Sequence, residues 1–250
     1  MSGKVYKKEH QIKYYECDTT QKMTVSMLLN IMLHVSGEQS YLLGVGDEVL
    51  AEKGLAWIIL QYEVNVDRMP AFYETINITT QATSYNKLFC YRTFKVYDEE
   101  GKLCVTVNST FALMNIKERK MARVPDEIVA PYGSEFSKKL IRSPKPEKVD
   151  EETLLSKEYR VRYLDIDSNR HVNNSKYVEW VMDTLDLEFL TTHEIENMTI
   201  KFEKEVHYGQ LIHSEMSLTK QEEGKVLTAH RIVTEGITNC EASILWKTAH

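Results

Sequence analysis

The chain repeats itself. Written over itself without gaps at an offset of 149, Lys8–Met32 (KEHQIKYYECDTTQKMTVSMLLNIM) lies on Lys157–Val181 (KEYRVRYLDIDSNRHVNNSKYVEWV). Lys8, Glu9, Tyr14, Asp18 and Ser26 fall on Lys157, Glu158, Tyr163, Asp167 and Ser175. Each copy passes from an alternating apolar and polar run, through a polar loop, into a segment whose apolar residues are spaced i, i+3, i+4, i+7. These are Leu28, Ile31, Met32 and Val35 in the first copy and Val178, Val181, Met182 and Leu185 in the second. That order predicts strand, loop and a helix with one apolar face, encoded twice. Thr24 and Ser26, and Asn173, Asn174 and Ser175, supply side chains that satisfy free amides at the two helix starts.

Segments rich in Val, Ile, Thr and aromatics follow each helix and predict strands at Ala56–Val66, Tyr73–Ser84, Leu88–Tyr97 and Leu103–Ile116. The second copy opens with a strand at Glu158–Leu164 and continues with Met198–His207, Leu211–Gln221, Val226–Glu235 and Thr238–Lys247. The predicted class is α+β, each half a long central helix set into an antiparallel sheet. The tetrapeptide EEGK at Glu99–Lys102 and Glu222–Lys225 sits at different places in the two strand series, so it reads as shared turn chemistry. Pro131–Glu152 holds three prolines among charged residues and lacks periodicity, which marks a linker. The expected division is 1–130, a linker at 131–152, and 153–250.

A net charge of −6 argues against a nucleic-acid binder, which needs a surplus of Lys and Arg on one face. Cys17, Cys90, Cys104 and Cys240 are scattered with no CxxC, so neither a zinc knuckle nor a dithiol motif is encoded, and free thiols fit a reducing cytosol. The opening residues MSGKVYKKEH lead into no apolar stretch of the kind a signal peptide needs, and no uncharged run reaches the ~18 residues that span a bilayer. A soluble cytoplasmic protein is expected.

The densest polar stretch is Asp165–Asn174, DIDSNRHVNN, feeding the second helix. It reads either as a capping loop whose Asx side chains bond their own backbone or as a reactive site. A calcium loop is excluded, because Arg170 stands at the sixth position, where Gly is needed, and Lys176 at the twelfth. The first copy sharpens the choice: Thr20, Lys22 and Asn65 are read as standing where the second has Asn169, His171 and Glu205. Only the second pairs an imidazole with a carboxylate. Asp18 matches Asp167 without a histidine beside it, so this aspartate has a partly structural role. His10, His34, His193, His207, His213, His230 and His250 show no ligand spacing and are expected on the surface or in strands; no metal and no cofactor are expected.

DIDSNRHVNNSKYVEWV resembles the D-x-N-x-H-V-N-N segment of the fatty acyl-ACP thioesterases, the plant plastid enzymes and their bacterial relatives. Trp57–Pro70 (WIILQYEVNVDRMP), Ala112–Arg123 (ALMNIKERKMAR) and Val124–Glu127 (VPDE) resemble the same family, so the likeness runs along nearly the whole chain. The resemblance implies a tandem double hotdog with one working site, formed by Asp167, Asn169 and His171 on the loop and Glu205 from the following strand. Plant members carry a cysteine next to that glutamate, whereas here the position is Val206. The implied chemistry is water attack on the thioester. Glu205 would be the base, Asn169 and His171 would be oxyanion donors and Asp167 would orient the loop; alternatively His171 is the base and Glu205 its orienting partner. The acyl chain is expected in the first half, against Met27, Ile31, Met32, Trp57 and Ile59. The implied partner is acyl carrier protein, which is acidic and would meet a basic patch: Lys117, Arg119, Lys120 and Arg123, or Lys138, Lys139 and Arg142. An acyl-CoA hydrolase and a non-catalytic acyl-binding hotdog protein are the alternatives, and a homodimer is compatible with either.

Overall fold

A computed structural model describes residues 3–139, 141–167, 170–220 and 224–249. The chain divides into two compact units, one of Met1–Met23 and Leu28–Ser143, the other of Thr24–Met27 and Pro144–His250.

Unit 1 runs β1 (Val5–Gln11), a 3₁₀ turn (Tyr14–Glu16), α1 (Val25–Leu42), α2 (Asp47–Glu52), β2 (Leu55–Val66), β3 (Thr75–Tyr85), β4 (Phe89–Tyr97), β5 (Leu103–Asn115), β6 (Lys120–Ala122), α3 (Asp126–Val129) and β7 (Glu135–Phe136). Its antiparallel ladder has the order β1-β3-β4-β5-β2. Strand residues of alternating burial, Ile76 and Ile78 on β3, Phe94 and Val96 on β4, and Val105 and Val107 on β5, turn one face inward. Leu28, Met32 and Val35 of α1 are buried with them, while Ile31 is half-buried. A separate apolar cluster joins α2 and α3 through Val45, Leu50, Leu55, Leu113, Ile128 and Tyr132, with Trp57 packed against it. Tyr132 donates to Ser40 Oγ at 2.7 Å, and β7 pairs with the end of β3. The stretch expected as linker therefore begins as part of unit 1.

Unit 2 runs β8 (Leu155–Arg160), a 3₁₀ turn (Tyr163–Asp165), α4 (Asn174–Met182), α5 (Leu187–Thr192), β9 (His193–Phe202), β10 (Leu211–Lys220), β11 (Val226–Thr234) and β12 (Ile237–Thr248). The ladder order β8-β10-β11-β12-β9 repeats that of unit 1 strand for strand. Even the irregularity recurs: the register shift at Val96/Tyr97 returns at Ile232/Val233. Each unit is a hotdog, and the class is α+β.

The sequence misplaces several boundaries. The first strand of unit 2 stops at Arg160, not Leu164, because Asp165 accepts from the amide of Arg162 at 2.8 Å and closes a turn there. Helix α4 ends at Met182, so Leu185 is buried beyond its end. Strand β9 begins at His193 and ends at Phe202, against an expectation of Met198–His207. The amides of Glu203 and Lys204 both turn to the carbonyl of Asn239, at 2.8 and 3.2 Å, and the chain leaves the ladder.

Candidate active site

The polar loop is built the same way in both units. In unit 2 Asp165 is buried, and its backbone carbonyl accepts from Asn173 N at 2.9 Å. Asp167 N donates to His171 O and Arg170 N to Asp167 O, both at 3.0 Å. The first copy repeats these bonds with Asp18 N to Lys22 O and Gln21 N to Asp18 O, again at 3.0 Å. The turn needs a left-handed residue: Arg170 has φ 68° and Gln21 φ 62°, an unfavourable backbone for both side chains. Asp18 Oδ1 accepts from Thr20 N and Thr20 Oγ1 at 2.8 and 2.6 Å, an Asx turn that accounts for its persistence without a histidine. Asn169, the counterpart of Thr20, lies outside the described residues.

Burial tends to raise the Asp165 carboxyl, but hydrogen bonds from the Arg162 side chain and amide outweigh it and hold the group below the ordinary range. Both ends of the loop thus meet at one residue: the ionised carboxylate of Asp165 holds Arg162, and its backbone carbonyl holds Asn173.

His171 is half-buried, with Nδ1 3.4 Å from Val172 O and 3.8 Å from Asp167 Oδ1. Two acceptors on that side favour a proton on Nδ1 and leave Nε2 for other partners. Glu205, also half-buried, lies in the connection from β9 to β10 rather than on a strand, three residues past Phe202. One backbone bond joins the two segments: Val172 N to Val206 O at 3.4 Å, with His171 and Glu205 each one residue before it.

The equivalent bond in unit 1 is Met23 N to Pro70 O at 2.9 Å. Asp67 N and Arg68 N likewise donate to Cys104 O, as Glu203 N and Lys204 N do to Asn239 O. The counterpart of Glu205 is therefore Met69 and not Asn65, which lies exposed on β2. The first copy presents Lys22 and Met69 where the second presents His171 and Glu205.

None of the cysteines is poised as a nucleophile. Burial pushes the Cys90 thiol up to about 12 and raises Cys17, Cys104 and, most strongly, Cys240. Val206, beside Glu205, is fully buried. Among the described residues, one group has metal-ligand chemistry: Glu74, Asp98 and Cys104, with ligand atoms within 4.8 Å of one another. The Arg68 guanidinium bridges both carboxylates, at 2.9 Å from Glu74 Oε2 and 3.0 Å from Asp98 Oδ2, and supplies the positive charge that a cation would bring.

Of the residues expected along the acyl chain, Met32 is buried core and Met27 is half-buried in the first turn of α1. Trp57 meets Phe111 edge-on at 6.3 Å, and Ile59 is half-buried on β2. Ile31 lines a cleft of ≈ 380 Å³ with Lys8, His10, Asn30, His34 and Val35. At the matching place in unit 2, Tyr159 stacks on Trp180 at 6.5 Å, so aromatic rings stand where unit 1 has His10 and Ile31.

Comparison with known proteins gives a consistent picture. Residues 3–132 match the acyl-ACP thioesterase N-terminal domain and residues 148–248 the acyl-ACP thioesterase C-terminal domain. The chain is 24% identical over 234 residues to a chloroplastic acyl-[acyl-carrier-protein] hydrolase of Cuphea viscosissima, covering 89% of this chain and 57% of that protein. It is 25% identical over 231 residues to a chloroplastic palmitoyl-acyl carrier protein thioesterase of Gossypium hirsutum, covering 85% and 54%. The chain thus spans little more than half the length of these curated relatives. Among solved structures, a Lactobacillus plantarum protein assigned as an oleoyl thioesterase is 35% identical with a TM-score of 0.97, covering 99% of this chain and 98% of that one. The 12:0-ACP thioesterase of Umbellularia californica, at 21% identity and TM-score 0.85 over 98% of both chains, shares the fold.

Proposed function

The chain belongs to the acyl-ACP thioesterase family, and from that membership we propose that it hydrolyses the thioester of fatty acyl-acyl carrier protein, releasing free fatty acid and holo-carrier. Water adds to the thioester carbonyl, the C–S bond breaks, and the departing thiolate takes up a proton. Glu205 accepts the proton of the attacking water, a role commonly worth ~10² to 10⁴ in rate. The amide of Asn169 and backbone N–H groups at the start of α4 stabilise the oxyanion, and His171 Nε2 joins them as a donor when both ring nitrogens carry a proton. Asp167 orients the loop beside His171.

One observation carries this reading: the same backbone bond is flanked by His171 and Glu205 in one unit and by Lys22 and Met69 in the other. A purely structural loop has no reason to differ there. The thiols held protonated by burial favour direct water attack over an acyl-enzyme. Glu205→Ala and His171→Ala are each expected to lower kcat ~10²-fold or more with thermal unfolding unchanged; near-normal rates in both variants would overturn the site.

The position of the imidazole, with Nδ1 against Val172 O and Asp167, also supports a second assignment in which Nε2 is the base and Glu205 orients it. The base is the residue whose replacement removes the acidic limb of the kcat/KM profile. Rates on carrier-bound and CoA-bound acyl groups of one length decide the carrier. Binding without release of free thiol would instead mark an acyl-binding protein.

An acidic carrier would dock close to this loop. Tyr163, Leu164 and Tyr208 are exposed, as are Arg160, Arg162 and Arg170. The first copy also exposes rings near its loop, Tyr14, Tyr15 and Tyr73, but in place of Arg160 and Arg170 it has Gln11 and Gln21. The added positive charge sits on the copy that has the imidazole, which favours this face over the lysine and arginine clusters at residues 117–123 and 138–142.

A further inference from the structure

We propose that Asn239 and Tyr177 are positioning residues that clamp the Glu203–Val206 segment and so hold Glu205 in place for the reaction proposed above, on which this inference rests. Asn239 stands far from the catalytic loop in sequence, and Tyr177 lies just beyond the loop on the helix it feeds. Asn239 is on β12 and Tyr177 on α4, and both side chains are buried.

The contacts converge on four consecutive residues. Asn239 O accepts from the amides of Glu203 and Lys204, and Asn239 Nδ2 donates to the carbonyls of Lys204 and Glu205, both at 3.4 Å. Tyr177 Oη accepts from Val206 N at 3.0 Å. The Tyr177 ring is itself fixed edge-on between Trp180, 5.6 Å away, and Phe202, 5.5 Å away. Glu205 therefore sits between a carbonyl held from one side and an amide held from the other, without a ladder bond to do that work.

Two features separate a functional clamp from ordinary packing. Orienting Nδ2 toward two carbonyl oxygens leaves Asn239 Oδ1 buried, and it finds no hydrogen-bond partner among the described residues. A buried acceptor without a partner destabilises the fold, so its retention calls for a reason beyond stability. The first copy, with the same connection but no glutamate, lacks both groups: Leu28 stands for Tyr177 and Cys104 for Asn239. Cys104 O keeps the two backbone bonds, so the scaffold closes without the side-chain clamp.

The test is kinetic and uses the full chain. Asn239→Cys, which installs the first-copy residue, and Tyr177→Phe are expected to lower kcat on an acyl thioester about tenfold or more. KM should stay within about twofold, and the melting temperature of Asn239→Cys should be unchanged or higher. In a Glu205→Ala background neither substitution should cost further rate. Wild-type kcat in both single variants overturns the clamp while leaving the hydrolase reading intact. Rate losses that track lost melting temperature, or that persist undiminished without Glu205, also overturn it. Full activity of Glu205→Ala by itself removes the role of Glu205 and the clamp with it, while the hydrolase site as a whole falls only if His171→Ala is also fully active.

Discussion

At the scale of single residues, His230 couples the stability of the fold to acidity. As expected of a histidine without ligand spacing it lies on a strand, where it is wholly buried, with Nδ1 3.4 Å from Thr184 Oγ1. It stands two residues before the Ile232/Val233 register shift, where the first copy has buried Phe94 two residues before Val96/Tyr97. Burial pushes the imidazole down to about 3. Between about 3 and the unfolded value near 6.5 the unfolded chain binds a proton that the folded one refuses. Stability contributed by the neutral ring is therefore complete above pH ~6.5 and declines by about 1.4 kcal/mol per pH unit as acid is added. His230→Phe is expected to flatten that decline, so melting temperatures of the two proteins should diverge from pH 6.5 down to 4.5. Parallel curves would show that the ring is not shielded. His171, by contrast, was legible in the sequence because its neighbours form one contiguous polar loop. Asn239 was not, because it acts mainly on backbone atoms of a segment 35 residues away.

At the scale of elements, the loop and its helix were legible and the end of β9 was not. Capping works through short-range chemistry that a sequence displays: Asn173 Oδ1 accepts from Ser175 N at 2.9 Å, and Thr24 Oγ1 from Met27 N at 3.3 Å. Asn173→Ala is expected to cost ~1 kcal/mol of stability in chemical unfolding, with a matching fall in activity if α4 presents its amides to the oxyanion. The β9 boundary depends instead on where the amides of Glu203 and Lys204 go, and their acceptor lies on another strand. Misalignment of Asn65 with Glu205 has a length cause. Helix α1 has 18 residues against 9 in α4, which supplies most of the fall in the offset between copies from 149 at the loop to 136 at the connection, where Met69 takes the matching place. Hydrophobic period reports that a helix exists; it does not report its length once the apolar face continues into the next turn, as Leu185 does.

At the scale of the whole molecule, duplication was the most legible property, since it needs only that one pattern recur. Charge distribution was less so: a net charge of −6 conceals arginines gathered on the loops of one copy. If those arginines receive an acidic carrier, turnover on carrier-bound substrate should fall steeply with added salt while hydrolysis of a small uncharged thioester changes little. Replacing Arg160 and Arg170 by Gln, the first-copy residue, should raise KM for the carrier-bound substrate alone. An equal salt response on both substrates would move docking elsewhere.

The twin loops also give the chain its own blank. Asp18 and Asp167 close the same turn with the same backbone bonds, one beside a lysine and one beside an imidazole. Changing each in turn to Asn subtracts architecture from chemistry inside one polypeptide: whatever Asp18→Asn does to melting is what the turn itself requires, and whatever Asp167→Asn does beyond that belongs to catalysis.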